Sequence, residues 1–133
     1  METVKNPVFL VPTDFSEVCT NAAHRAASLA KDYNYKIVLL HVIDKNTLVE
    51  LKKEGKGPDW VKERLGELAN TLVKEYVIRV DMIAREGDIF ITIAEVAQEL
   101  KASLIFLGTH GKVGLQKITG SFALKVVTSS EIP

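Results

Sequence analysis

The stretch ASLIFLGTHGKVGLQKITGS, residues 102–121, decides how the rest of the chain is read. It opens on Leu104-Ile105-Phe106-Leu107, a run apolar on both faces and so suited to the inside of a parallel sheet. The run breaks at Gly108. Further glycines follow at 111, 114 and 120, the last of them before Ser121 and a segment of helical pattern. Strand, glycine-rich turn and helix start together present bare backbone N–H groups to an anion. Glycine allows close approach, and the helix N-terminus adds partial positive charge. A phosphate group suits such a loop, while spacing alone supports a plain turn equally well. Two sharper patterns are excluded. Val113 stands after Lys112 where a Walker loop needs Ser or Thr for Mg²⁺, and Gly108-x-x-Gly111-x-x-Gly114 lacks the dinucleotide spacing.

Upstream, strand and helix patterns alternate. Val8-Phe9-Leu10-Val11 reads as a short central strand ended by Pro12. Ser16 is the expected N-cap of a helix reaching Tyr33, with Val18, Ala22, Ala26, Leu29, Ala30 and Tyr33 inward. KIVLLHVI, residues 36–43, is a second strand apolar on both faces. Lys45 to Gly57 reads as a long polar connection with at most one helical turn. Pro58 opens a helix whose Val61, Leu65, Leu68, Leu72 and Tyr76 recur at helical spacing. Ile78, Val80, Met82 and Ala84 alternate with Arg79, Asp81 and Arg85, the pattern of an edge strand. Asp88 caps a helix over Ile89–Leu100 with Ile89, Phe90, Ile93, Ala94, Ala97 and Leu100 buried. Leu104–Leu107 is the fourth strand, and a last helix runs from Lys117 or Ser121 to Thr128. This alternation predicts an α/β fold: one doubly wound parallel sheet with helices on both faces.

The 133 residues suit one domain with a sizeable core. Seventeen basic and seventeen acidic side chains cancel, so no net field draws nucleic acid or an anionic membrane. Neither a membrane-spanning run nor a signal peptide is legible, and cytoplasm is the expected location. Cys19, the sole cysteine, allows no internal disulfide and reads as a packed thiol, although a helix N-terminus can lower a thiol pKa. His24 reads as a surface histidine and Trp60 as packing. No metal-ligand set is visible.

At its glycines the chain resembles the universal stress protein family. The nucleotide-binding members of that family carry Gly-x2-Gly-x9-Gly-Ser/Thr after the fourth strand. Gly108, Gly111, Gly120 and Ser121 match in type and order, with eight residues, Lys112 to Thr119, where the pattern has nine. Pro12-Thr13-Asp14-Phe15-Ser16 is similar to the family segment in which Asp contacts the nucleoside. Val42 falls where the family holds adenine through backbone groups. The resemblance implies strand order 3-2-1-4-5, in agreement with an outermost third strand. In such a sheet ligands bind where the order reverses, here between strands one and four. Pro12, Thr13 and Asp14 would line one side and the Gly108 loop the other, with His110 and Lys112 as phosphate donors.

Family members follow Ser-Ser-x-x-Pro with a fifth apolar strand that commonly pairs across a homodimer. Ser129-Ser130-Glu131-Ile132-Pro133 is present and no such strand follows. The expectation is therefore one domain over residues 1–133, truncated before its last strand, of order 3-2-1-4(-5), with the fourth strand a bare edge.

The resemblance implies a homodimeric universal stress protein that binds ATP with Mg²⁺ and acts as a nucleotide-responsive stress regulator. Its expected binding residues are Pro12, Thr13, Asp14, Val42, Gly108, His110, Gly111, Gly120 and Ser121. The shortened loop favours an alternative, a dimeric interaction protein of the same fold without nucleotide. No set of nucleophile, base and orienting group is legible, so at most slow ATP hydrolysis is expected. An adenylating enzyme is a weaker reading still. It would carry its phosphate loop after the first strand, where this chain has Pro12-Thr13-Asp14 and no glycine.

Overall fold

The computed structural model describes residues 7–108 and, by backbone course alone, 126–129. The elements run β1 (Val8–Pro12), α1 (Glu17–Tyr33), β2 (Lys36–Ile43), α2 (Lys45–Lys53), α3 (Pro58–Tyr76), β3 (Val80–Glu86), α4 (Ile89–Leu100), β4 (Leu104–Gly108) and β5 (Val126–Ser129). All strand pairs are parallel, in the order β3-β2-β1-β4-β5. The expected order of the first four strands holds, and β3 is an edge.

Pleat parity sorts the strand side chains onto two faces. Phe9, Val11, Ile37, Leu39 and Phe106 meet α1 through Ala23, Ala26, Ala27 and Ala30, and α3 through Val61, Leu65 and Leu72. Val8, Leu10, Val38, Leu40, Val42, Ile105 and Leu107 meet α4 through Ile93, Val96 and Ala97. Alanine lets α1 lie close on the sheet, and both faces are covered as the doubly apolar strands require. Side-chain caps start α1 and α4: Ser16 Oγ accepts from Cys19 N–H at 3.3 Å and Asp88 Oδ1 from Ile91 N–H at 3.0 Å.

Several expectations are corrected. A fifth strand is present: Val126–Ser129 pairs in parallel with β4, Val127 opposite Phe106. The helix expected to reach Thr128 therefore does not extend over these residues. Val126, Val127 and Thr128 are β-branched and meet an apolar edge that otherwise lacks a partner. The polar connection after β2 contains the nine-residue α2, because Asp44 Oδ1 caps it through Thr47 N–H at 2.8 Å and Leu51 anchors it in the core. Tyr33 and Ile89, expected inward, are exposed at opposite ends of their helices. In β3, Met82 is exposed while Ile83 joins the α4 face, since an edge strand is incompletely covered.

Candidate functional site

β1 stays paired with β2 through Pro12↔Leu40 but with β4 only through Phe9↔Leu104 and Leu10↔Ile105. The β1–β4 ladder therefore ends short of the strands' carboxyl ends, at the point where the strand order reverses and a doubly wound sheet forms its ligand crevice. Pro12 and Thr13 are buried on its β1 side, and Asp14 is exposed at its rim.

The turn after β1 is tied internally. Thr13 N–H donates to Leu40 O at 2.8 Å, Phe15 N–H to Thr13 Oγ1 at 3.0 Å, and Ser16 N–H to Asp14 Oδ1 at 2.8 Å. Partial burial pushes the Asp14 carboxyl up. Hydrogen bonds from Ser16 and the Cys19 thiol outweigh it and hold the pKa below the ordinary carboxylate value. Asp14 is thus an anion at neutral pH.

Phe15 has φ 69°, a left-handed conformation that costs a side chain of this size about 1–2 kcal/mol. Ring packing offsets it. Phe15 lies 4.7 Å from the His41 ring, edge-on to Trp60 at 5.9 Å, with the Arg64 guanidinium 5.3 Å away. Trp60 thus packs, as expected.

Gly108 closes the β4 side. A Cβ there would lie 2.6 Å from Cys19 N and Cα and from Val18 C, so this glycine is required by the approach of α1. Gly108 and Asp14 both border the first turn of α1. Cys19 is buried there, its Sγ 3.9 Å from Gly108 O, and burial raises its pKa despite the helix N-terminus. Val42 is buried, its side chain in the α4-facing core, so only its backbone is available to a ligand. His110, Gly111, Gly120 and Ser121, with Lys112 and Gly114, lie outside the described residues.

His41 lies outside the expected set of site residues. It is buried, its Nδ1 2.8 Å from Thr13 O. The signal was present: one histidine at an inward position of the otherwise apolar run KIVLLHVI. His24, by contrast, is a partly exposed residue beside the Tyr76 hydroxyl at 2.9 Å and Glu75 at 3.4 Å.

A cleft of about 770 Å³ opens beside the crevice, between the ends of β2 and β3, lined by Ile43, Asp44, Lys45, Asn46, Leu48 and Glu86 among others. Its carboxylates Asp44 and Asp88 are engaged as helix caps. Among the described residues no group of three or more His, Cys, Asp or Glu could hold a metal ion. Nor is any described helix long and apolar enough to cross a membrane.

The universal stress protein family model matches residues 6–133. A universal stress protein of Methanocaldococcus jannaschii is 32% identical over 136 residues, covering 93% of this chain and 77% of its own. Two solved structures share the fold. A universal stress protein in complex with cAMP superposes with TM-score 0.73 at 15% identity, over 94% of this chain and 97% of its own. One from Archaeoglobus fulgidus in complex with dAMP gives 0.70 at 13%, over 96% and 99%.

Proposed function

The chain belongs to the universal stress protein family, and on that premise we propose that it binds an adenine nucleotide, ATP with Mg²⁺, between the ends of β1 and β4. In this reading it is a cytoplasmic, homodimeric factor whose regulatory state follows nucleotide occupancy. The observation that carries the reading is Asp14: an ionised, exposed carboxylate at the rim of the crevice where the strand order reverses. Asp14 would accept from ribose hydroxyls, and the Val42 backbone would meet the base. Pro12 and Thr13 would wall the crevice. Phosphate oxygens would be met by backbone N–H groups of Gly108, Gly111, Gly120 and Ser121, with His110 as a further donor. Mg²⁺ would arrive on the phosphates, since no described cluster of acids stands ready to hold it alone. Family members solved with cAMP and dAMP support an adenine nucleotide as the class of ligand.

Calorimetry with ATP tests the reading. Binding in the micromolar range that Gly120→Val abolishes, with the fold intact, supports it. No heat at millimolar ATP rejects it. The shorter glycine loop favours a second reading, a dimeric interaction protein without nucleotide. Gain of ATP binding on inserting one residue between Gly111 and Gly120 supports that one.

A further inference from the structure

The ladder between β1 and β2 follows a fixed parity. Lys36 N–H donates to Pro7 O at one end, at 3.0 Å, and Thr13 N–H to Leu40 O at the other, at 2.8 Å. Even-numbered residues of β2 therefore turn their peptide groups toward β1. Odd-numbered residues face β3, as in Ile37 N–H to Arg79 O at 3.0 Å and Gly87 N–H to Ile43 O at 3.1 Å. One more step would carry Val42 N–H onto Thr13 O, and Phe15 N–H onto Val42 O. Two side chains intercept it. His41 Nδ1 donates to Thr13 O at 2.8 Å, and Thr13 Oγ1 accepts Phe15 N–H at 3.0 Å.

We infer that His41 and Thr13 are positioning residues that stop the β1–β2 ladder one step early, leaving Val42 N–H and C=O as a donor–acceptor pair for an adenine edge. The inference rests on the nucleotide reading above. Adenine offers an acceptor at N1 beside the N6 amino donor, the complement of one residue's N–H and C=O. Guanine presents a protonated N1 beside the O6 acceptor, and like meets like.

The state of the His41 ring agrees. A carbonyl oxygen only accepts, so the proton sits on Nδ1, and Nε2 is a buried atom without a hydrogen bond among the described residues. The bond from Nδ1 to Thr13 O is thus the ring's one hydrogen bond among the described residues. Phe15 packs against the ring, tilted by 30° with centroids 4.7 Å apart, and limits its rotation.

Hydrogen exchange without nucleotide tests the ladder directly. In the wild type the Val42 amide exchanges about tenfold or more faster than that of Leu40. His41→Leu releases Thr13 O to Val42 N–H and slows Val42 exchange about tenfold. His41→Asn, whose amide donor stands where Nδ1 stood, restores the wild-type rate. Should His41→Leu not fold, Thr13→Val removes the hydroxyl that takes Phe15 N–H: Phe15 exchange as slow as in the wild type shows the freed amide on Val42 O and supports the inference, and faster exchange overturns it. Calorimetry gives the second reading: His41→Leu weakens ATP about tenfold and narrows the preference over GTP, and His41→Asn recovers both. A wild-type Val42 amide as protected as Leu40, or unaltered Val42 exchange in a folded His41→Leu, overturns the inference whatever ATP does. A wild type that ignores ATP while the exchange pattern holds overturns the nucleotide reading and leaves the interrupted ladder standing.

Discussion

A methyl group placed on Gly108 would lie 2.6 Å from Cys19 N and Cα, well inside contact distance, and the atoms it meets are helix backbone that cannot swing aside. Gly108→Ala should therefore destabilise the fold by about 1–3 kcal/mol, read as a lowered urea midpoint, even without ligand. An unchanged midpoint would mean that α1 does not press on β4 here. Asp14 carries a different signature. Its pKa is depressed in the folded state, so its contribution is complete above the unfolded value near pH 4 and fades as pH falls through the lower folded value. Asp14→Asn should thus be less stable than the wild type at pH 6, with the difference vanishing toward pH 2 in parallel urea titrations. Asp14 was legible because Pro-Thr-Asp-Phe-Ser follows an apolar strand. His41 was not, because a lone histidine within an apolar run gives no sign of which carbonyl it meets.

At the scale of elements, apolar runs and helical stripes located most strands and helices, since a parallel sheet buried on both faces leaves little freedom in composition. Two short elements escaped. The polar surface of α2 leaves only Leu51 buried, so no stripe announced it, and its start depends on Asp44. Asp44→Ala should cost about 1 kcal/mol and speed amide exchange across Lys45–Lys53 while leaving α4 protected. Equal exchange in variant and wild type would show that packing alone holds the helix. The strand β5 escaped because Val126–Ser129 looked like the tail of a helix, and only the β4 edge selects the extended form. Deleting residues 126–133 should bare that edge and drive self-association, seen as concentration-dependent sedimentation. A variant that stays as dispersed as the full chain would contradict this.

At the scale of the molecule, the β1–β4 parting follows from the topology: α1 and α4 lie on opposite faces, so no crossover bridges the ends of these two strands. Asp14, Gly108 and the Val42 backbone border or adjoin that opening, whereas the neighbouring cleft lies between the ends of β2 and β3, where the strand order does not reverse. The alternation of apolar and amphipathic segments made the sheet readable. The order of its strands needed family resemblance, because pairing between distant segments leaves no local trace. The most direct measurement is an ATP titration followed by amide chemical shifts of the isotope-labelled chain. Nucleotide bound between the ends of β1 and β4 should give saturable changes centred on Thr13–Ser16, Val42 and Gly108. Saturable changes centred instead on Asp44–Leu48 and Glu86–Asp88, or no changes at millimolar ATP, would contradict it.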